Sequence, residues 1–239
     1  MKRQNSELSL KIFADGADLK VIERLKENNF VKGFTTNPSL MRKAGVKDYR
    51  VFAEQALELI PDLPLSLEVL SDNLIEMEDQ ARLIASWGEN IFVKIPIMTT
   101  TKVSTKPIIK SLSRDGIKVN VTAIMTIKQI KEILKALHSD TPTILSVFAG
   151  RIADTGRDPI PLIKNCVAQI KNFKNVELIW ASPRELLNII QAQTAGCDII
   201  TIGEDLLSKM DLIGKDLNEF SRETVEMFYK DAIFSKFKI

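Results

Sequence analysis

The chain has 239 residues, 45% of them hydrophobic and 27% charged, and 33 Lys and Arg against 31 Asp and Glu leave a net charge of +2. This balance supplies ample apolar surface for a large core and excludes bulk electrostatic attraction to nucleic acid or an anionic membrane. It also excludes a spanning helix, because no run reaches the ~18 apolar residues that one needs. Cys166 and Cys197 are too few and too far apart for a disulfide framework or a zinc cluster, and the polar start Met1-Lys-Arg-Gln-Asn-Ser carries no signal-peptide pattern. The expectation is a cytoplasmic protein with no structural metal, no cofactor, no nucleic-acid partner and no membrane partner.

In chain order, short runs rich in β-branched and aromatic residues fall at 11–15, 33–37, 65–69, 91–95, 119–124, 143–148, 176–182 and 198–203. Such runs are the signature of strands buried on both faces. Stretches with helical spacing lie between them, as at 18–25 and 126–137; in the second, Ile127, Ile130, Ile133, Leu134 and Leu137 share one face. The strand starts recur about every 27 residues, the length of one βα unit in a closed barrel. A doubly wound open sheet usually carries a glycine-rich phosphate turn after its first strand, and neither G-x-G-x-x-G nor G-x-x-x-x-G-K-[ST] occurs. The fold expected is therefore α/β: a single-domain (β/α)8 TIM barrel over 1–239, with an additional C-terminal amphipathic helix at 217–236. That helix bears Phe220, Phe228, Tyr229 and Phe234, so it either crosses the barrel exterior or reaches a neighbouring subunit and builds a homo-oligomer.

The sole histidine, His138, sits where the helix at 126–137 gives way to a loop, a position that favours a basic group. With one histidine, assigned to a helix end, the sequence argues against Ser–His–Asp hydrolysis and two-histidine metal sites. Catalysis has to run on lysine, carboxylates, hydroxyls and arginine. Barrels of this kind place their active sites at the C-terminal ends of the strands, and seven consecutive strand candidates are interrupted there by a polar residue: Asp15, Thr35 with Thr36 and Asn37, Glu68, Lys94, Asn120 with Thr122, Ser146 and Ser182. Lys94 is the only charge in Ile91-Phe-Val-Lys-Ile-Pro-Ile. Facing inward, it would be driven toward the neutral amine that attacks carbonyls, or it would stand in a buried ion pair with Glu68 or Asp15. Glu68 and Asp15 are correspondingly proton-transfer groups or ion-pair partners. Asn37-Pro38-Ser39 equally suits the lead into a helix cap. Arg151 and Arg184 follow strands, where arginine forks either hold a phosphate or lie solvated in loops, and Ser182 could add a hydroxyl.

Four motifs in order resemble the transaldolase family, which includes the small fructose-6-phosphate aldolases. They are Phe34-Thr-Thr-Asn-Pro-Ser-Leu, Phe92-Val-Lys-Ile-Pro, Gly116-Ile-Lys-Val-Asn-Val-Thr and Ser146-Val-Phe-Ala-Gly-Arg, and the resemblance runs from about Ile12 to Phe228. It implies transfer of dihydroxyacetone from a ketose phosphate, such as fructose 6-phosphate or sedoheptulose 7-phosphate, to an aldose phosphate by way of a lysine Schiff base. It implies Lys94 as nucleophile, Asp15 as acid/base for carbon–carbon cleavage, and Glu68 acting through a water that Thr122 helps to hold. Asn37, Asn120 and Ser146 would bind the dihydroxyacetone hydroxyls, with Thr35 supporting the pocket, and Arg151, Ser182 and Arg184 would hold the acceptor phosphate. Glu68 and Phe148 stand where the transaldolases have the same residues and the aldolase branch tends to have glutamine and tyrosine, which favours transfer over release. Gly16 replaces a usual threonine, Val147 a usual proline, and the loop at 98–106 is longer and more polar than its counterpart. A Schiff-base aldolase releasing dihydroxyacetone and a non-catalytic barrel that binds sugar phosphates are the alternatives.

Overall fold

The computed structural model describes residues 9–235. Its eight strands are β1 (Lys11–Asp15), β2 (Val31–Thr35), β3 (Leu65–Glu68), β4 (Ile91–Pro96), β5 (Val119–Ile124), β6 (Thr143–Val147), β7 (Val176–Trp180) and β8 (Ile199–Gly203). All pair in parallel in chain order, and β8 closes onto β1. At least one helix follows each strand, so the sequence-derived (β/α)8 barrel is the observed one.

Side-chain alternation along the strands builds two separate cores. Ala14, Phe34, Leu67, Val93, Ile95, Val121, Leu145, Leu178 and Ile200 face outward and merge with the helix faces into one large cluster. Phe13, Ile144, Ile179, Ala181 and Ile199 form a second cluster inside the barrel, with Phe92 and Phe148 packed against it. The barrel interior is thus filled by side chains below a polar mouth.

Several boundaries differ from the sequence pattern. β2 ends at Thr35, not at residue 37, because the Asn37 side chain accepts from the Leu40 backbone N–H and caps the helix Pro38–Lys43. β7 ends at Trp180, since Ser182 adopts a left-handed φ of 62° that no strand accommodates. The helix after β5 spans Ile127–Leu134, opened by a capping box of Thr126 and Gln129; it ends at a C-cap on Lys135, so Leu137 is not helical and His138 lies in the connection beyond the helix rather than at its end.

The helix Leu217–Ser235 is present, and residue 236 lies outside the described residues. None of its 19 residues is buried, and Phe234 is 89% exposed. It does not seal the barrel wall. Only the short helix Glu204–Leu207 follows β8 directly, and a cavity of about 750 Å³ lies between it and the helices Leu19–Leu25 and Pro38–Lys43. Among the described residues no helix is long and apolar enough to cross a membrane.

One packing contact inside the barrel has a direct test. A Cβ on Gly33 would stand 2.6 Å from the Phe13 ring, which is 2% exposed and walled in by the interior cluster. Gly33→Ala should cost about 2 kcal/mol in urea denaturation through overpacking. The added change Phe13→Leu should recover most of that loss, which marks the contact as the cause.

Candidate active site

The parallel register sets Glu68 beside Lys94 and Lys94 beside Asn120, on three adjacent strands at one level. Lys94 is 7% exposed. Its Nζ donates to the Thr36 backbone carbonyl at 2.6 Å and lies 3.1 Å from Glu68 Oε2. The ion-pair partner is therefore Glu68. A buried ammonium is tolerated only with such compensation, and a carboxylate at this range is also placed to take a proton from the nitrogen. The Glu68 backbone carbonyl accepts from the Tyr49 hydroxyl at 2.7 Å, which anchors the strand end that carries the carboxylate. Burial, followed by the Glu68 charge, drives the Tyr49 phenol above its ordinary range, so the anchor stays protonated.

Beside this pair runs a chain of neutral groups. Ser146 Oγ donates to Asn120 Oδ1 at 2.7 Å, and Asn120 Nδ2 donates to Ser66 Oγ at 3.0 Å. All three residues are buried, and the chain fixes the orientation of the Asn120 amide. Thr122 is 2% exposed, and its Oγ1 has no hydrogen-bond partner among the described residues. It sits at a one-residue bulge, because the β5–β6 register slips between Val121 and Ile124 and Ala123 takes a φ of 59°. An orphaned buried hydroxyl costs free energy unless a ligand or water meets it.

On β1 and β2, Thr35 Oγ1 donates to Asp15 Oδ1 at 2.7 Å and lies 2.5 Å from Thr201 Oγ1. Burial pushes the Asp15 carboxyl above the usual carboxylate range. The Lys94 charge and the Thr35 hydrogen bond pull it back, and the Glu68 charge adds a smaller push upward. A carboxyl so shifted holds its proton more tightly than a free aspartate, which suits a group that both takes and returns a proton.

The loops after β6 and β7 meet at a second point. Gly150 donates its N–H to the Ala181 carbonyl, and a Cβ on Gly150 would stand 1.5 Å from the Ser182 carbonyl oxygen, so only glycine permits the contact. Arg184 grips Asp154 with two hydrogen bonds, one of them Nε to Oδ1 at 2.9 Å. Those bonds, with the Arg184 and Arg151 charges behind them, hold the Asp154 carboxyl below its usual range. The arginines expected at the phosphate thus flank a carboxylate, and any anion bound there would have to compete with Asp154 for the Arg184 fork. Asn37 spends its Oδ1 on the helix cap and keeps its amide N–H groups as donors.

Two side chains of the site escape the sequence pattern. Ser66 is masked by the stronger signal of Glu68 two residues on, and Thr201 lies on the one strand where no polar residue is singled out. Both break apolar runs, as the others do. The Thr36 carbonyl is a backbone acceptor and has no sequence signal. Among the described residues, no three His, Cys, Asp or Glu side chains come together as a metal site.

Fold and site together define a (β/α)8 barrel with a buried lysine and two carboxyls at its mouth. The chain belongs to the transaldolase/fructose-6-phosphate aldolase family, whose model it matches over residues 12–238. It is 34% identical over 202 residues to a "probable transaldolase" of Dehalococcoides mccartyi, covering 84% of this chain and 90% of that one. It is 37% identical over 204 residues to "probable transaldolase 2" of Listeria monocytogenes, covering 84% and 88%. Thiamine phosphate pyrophosphorylase from Pyrococcus furiosus shares the fold, with a TM-score of 0.56 at 10% identity, covering 82% of this chain and 86% of that one.

The Asp15 environment predicts a pH-dependent cost to stability. A carboxyl whose folded pKa lies above its unfolded value of 3.8 binds its proton more tightly in the native state, so stability falls as the pH rises through that interval. Asp15→Asn keeps an oxygen for Thr35 and removes the buried charge. It should raise the melting temperature by several degrees at pH 8, and the gain should shrink as the pH is lowered toward 3.8.

Proposed function

We propose that the protein transfers a dihydroxyacetone unit from a ketose phosphate to an aldose phosphate through a Schiff base on Lys94. The observation that carries this is the Lys94 ammonium, buried at the barrel mouth, paired with Glu68 and facing a second, raised carboxyl at Asp15. Glu68 takes the proton from Nζ, directly or through a water seated on the Thr122 hydroxyl, which has no partner among the described residues. The freed amine adds to the C2 carbonyl, and loss of water gives the protonated imine. Asp15 then removes the proton from the C4 hydroxyl, the C3–C4 bond breaks, and its electron pair enters the imine to give the enamine. Asn120, Ser146 and Asn37 hold the three-carbon hydroxyls, and Arg151, Arg184 and Ser182 receive the phosphate of the departing or arriving aldose. When the acceptor aldehyde replaces the first product, the enamine carbon attacks it and Asp15 returns its proton to the new hydroxyl. Phe148 packs at the floor of the mouth and has no hydroxyl with which to protonate the enamine, which favours transfer over release.

The two cysteines are free and buried, in keeping with a reducing compartment, and we place the protein in the cytoplasm. We further propose that the helix Leu217–Ser235 joins a second copy of the chain, because its Phe220, Phe228, Tyr229 and Phe234 remain 42%, 62%, 67% and 89% exposed. Phe228→Glu should then lower the mass found by sedimentation velocity. A wild-type protein that sediments as a monomer would remove this role from the helix.

The chemistry is tested by intact-mass analysis after incubation with fructose 6-phosphate and sodium borohydride. A reduced dihydroxyacetone adduct on the peptide containing Lys94 is expected, and Lys94→Ala should abolish both adduct and turnover while leaving the fold intact. Full activity in that variant would refute the mechanism. Free dihydroxyacetone accumulating without an acceptor would identify a releasing aldolase instead.

A further inference from the structure

Thr201 lies on β8, is 7% exposed, and takes no part in the chemistry derived above. Its surroundings give it a definite electrostatic task. At the level of Asp15 the residue across on β8 is Gly203, which offers no side chain to hold the carboxyl from that side. Thr201 stands one inward step below, opposite Phe13. It reaches across to Thr35 on β2 with an Oγ1–Oγ1 separation of 2.5 Å, and Thr35 in turn lies 2.7 Å from Asp15 Oδ1.

A threonine hydroxyl has one proton to give. An ionised carboxylate only accepts, so the Thr35 proton is committed to Asp15. The bond between the two threonines must then be donated by Thr201. The three residues form a directed chain, Thr201 to Thr35 to Asp15, that ends on the carboxylate. Thr35 is 3% exposed, so water does not readily replace either donor. When Asp15 takes a proton on its other oxygen, Oδ1 remains an acceptor and the same chain persists with weaker bonds. Donation from Thr201 polarises the Thr35 hydroxyl and strengthens its bond to the charged form more than to the neutral one.

We propose that Thr201 is a positioning residue for Asp15, fixing the direction of the Thr35 proton and favouring the carboxylate that accepts the substrate hydroxyl proton. The proposal rests on the proposed role of Asp15 as the acid/base group. The charged groups that act on Asp15 are Lys94 from β4 and Glu68 from β3. Neither touches Thr201 through a hydrogen bond, so its contribution is separable from theirs.

The test compares the wild type with Thr201→Val, which keeps the shape and removes the hydroxyl, and Thr201→Ser, which keeps the hydroxyl. In full-length protein labelled with 13C-aspartate, with the signal assigned by its loss in Asp15→Asn, the Asp15 titration midpoint should rise by about half a pH unit in Thr201→Val and return in Thr201→Ser. With fructose 6-phosphate and an aldose phosphate, the acid limb of kcat should shift up by the same amount. That lowers kcat about threefold on that limb and leaves KM unchanged. Borohydride trapping at Lys94 should persist in both variants. If Thr201→Val does not fold, Thr201→Ala carries the same expectation. A midpoint that stays put in a folded hydroxyl-free variant, or that moves equally in Thr201→Ser, overturns the proposal. A wild type that forms no adduct would refute the Schiff-base mechanism, and the carboxyl titration would still decide the role of Thr201.

Discussion

A lysine ammonium inside a closed barrel can persist only where its charge is answered, and the contact between Lys94 and Glu68 is that answer. Much of the site follows from it. The register that brings Glu68 level with Lys94 also brings Asn120 level with it, so one pairing decision aligns lysine, carboxylate and amide. The Thr36 carbonyl provides a second acceptor for the ammonium, and that carbonyl is held by the turn that leads from β2 into the helix capped by Asn37. Replacing such a pair with apolar residues is often neutral or stabilising. Its presence in an otherwise apolar strand therefore points to chemistry rather than to stability.

The closed sheet allows this arrangement because it divides the interior by depth. Phe13, Phe92, Ile144, Ile179 and Ile199 pack the lower levels. The next inward positions toward the strand ends are Asp15, Lys94, Ser146, Ala181 and Thr201. The apolar floor excludes water from below and lowers the effective dielectric around the charges, which strengthens both their attraction and the shift on Asp15. Gly33 belongs to the same design, since its missing side chain gives the Phe13 ring its place.

Most of this was legible in the sequence because strand alternation is rigid: a polar residue near the end of a doubly buried strand has only the mouth to face. Lys94, Glu68, Asp15 and Asn120 could be read that way. The same rule missed Ser66 and Thr201 because their residue types are common in ordinary strands and their roles depend on partners from distant segments. The two arginines were legible as strand-end residues, but the grip of Arg184 on Asp154 depends on a contact across 30 positions of sequence. The apolar pattern runs past the strand ends at β2 and β7 because a cap at Asn37 and a left-handed Ser182 end them, and apolar composition does not record backbone direction.

The bulge in β5 brings these strands of reasoning together. Ala123 is held at a positive φ without being glycine, a conformation that costs about 1–3 kcal/mol and persists only where the surroundings enforce it. The extra residue lies between Asn120, whose amide is satisfied on both sides, and the resumption of the ladder at Ile124. Within that interval falls Thr122, whose buried hydroxyl has no partner among the described residues. A strained backbone beside an unsatisfied hydroxyl has no benefit to folding. Two destabilising features at adjacent residues, on the strand next to Lys94, fit the proposed role of Thr122 as the seat of the water through which Glu68 would exchange protons with the nitrogen.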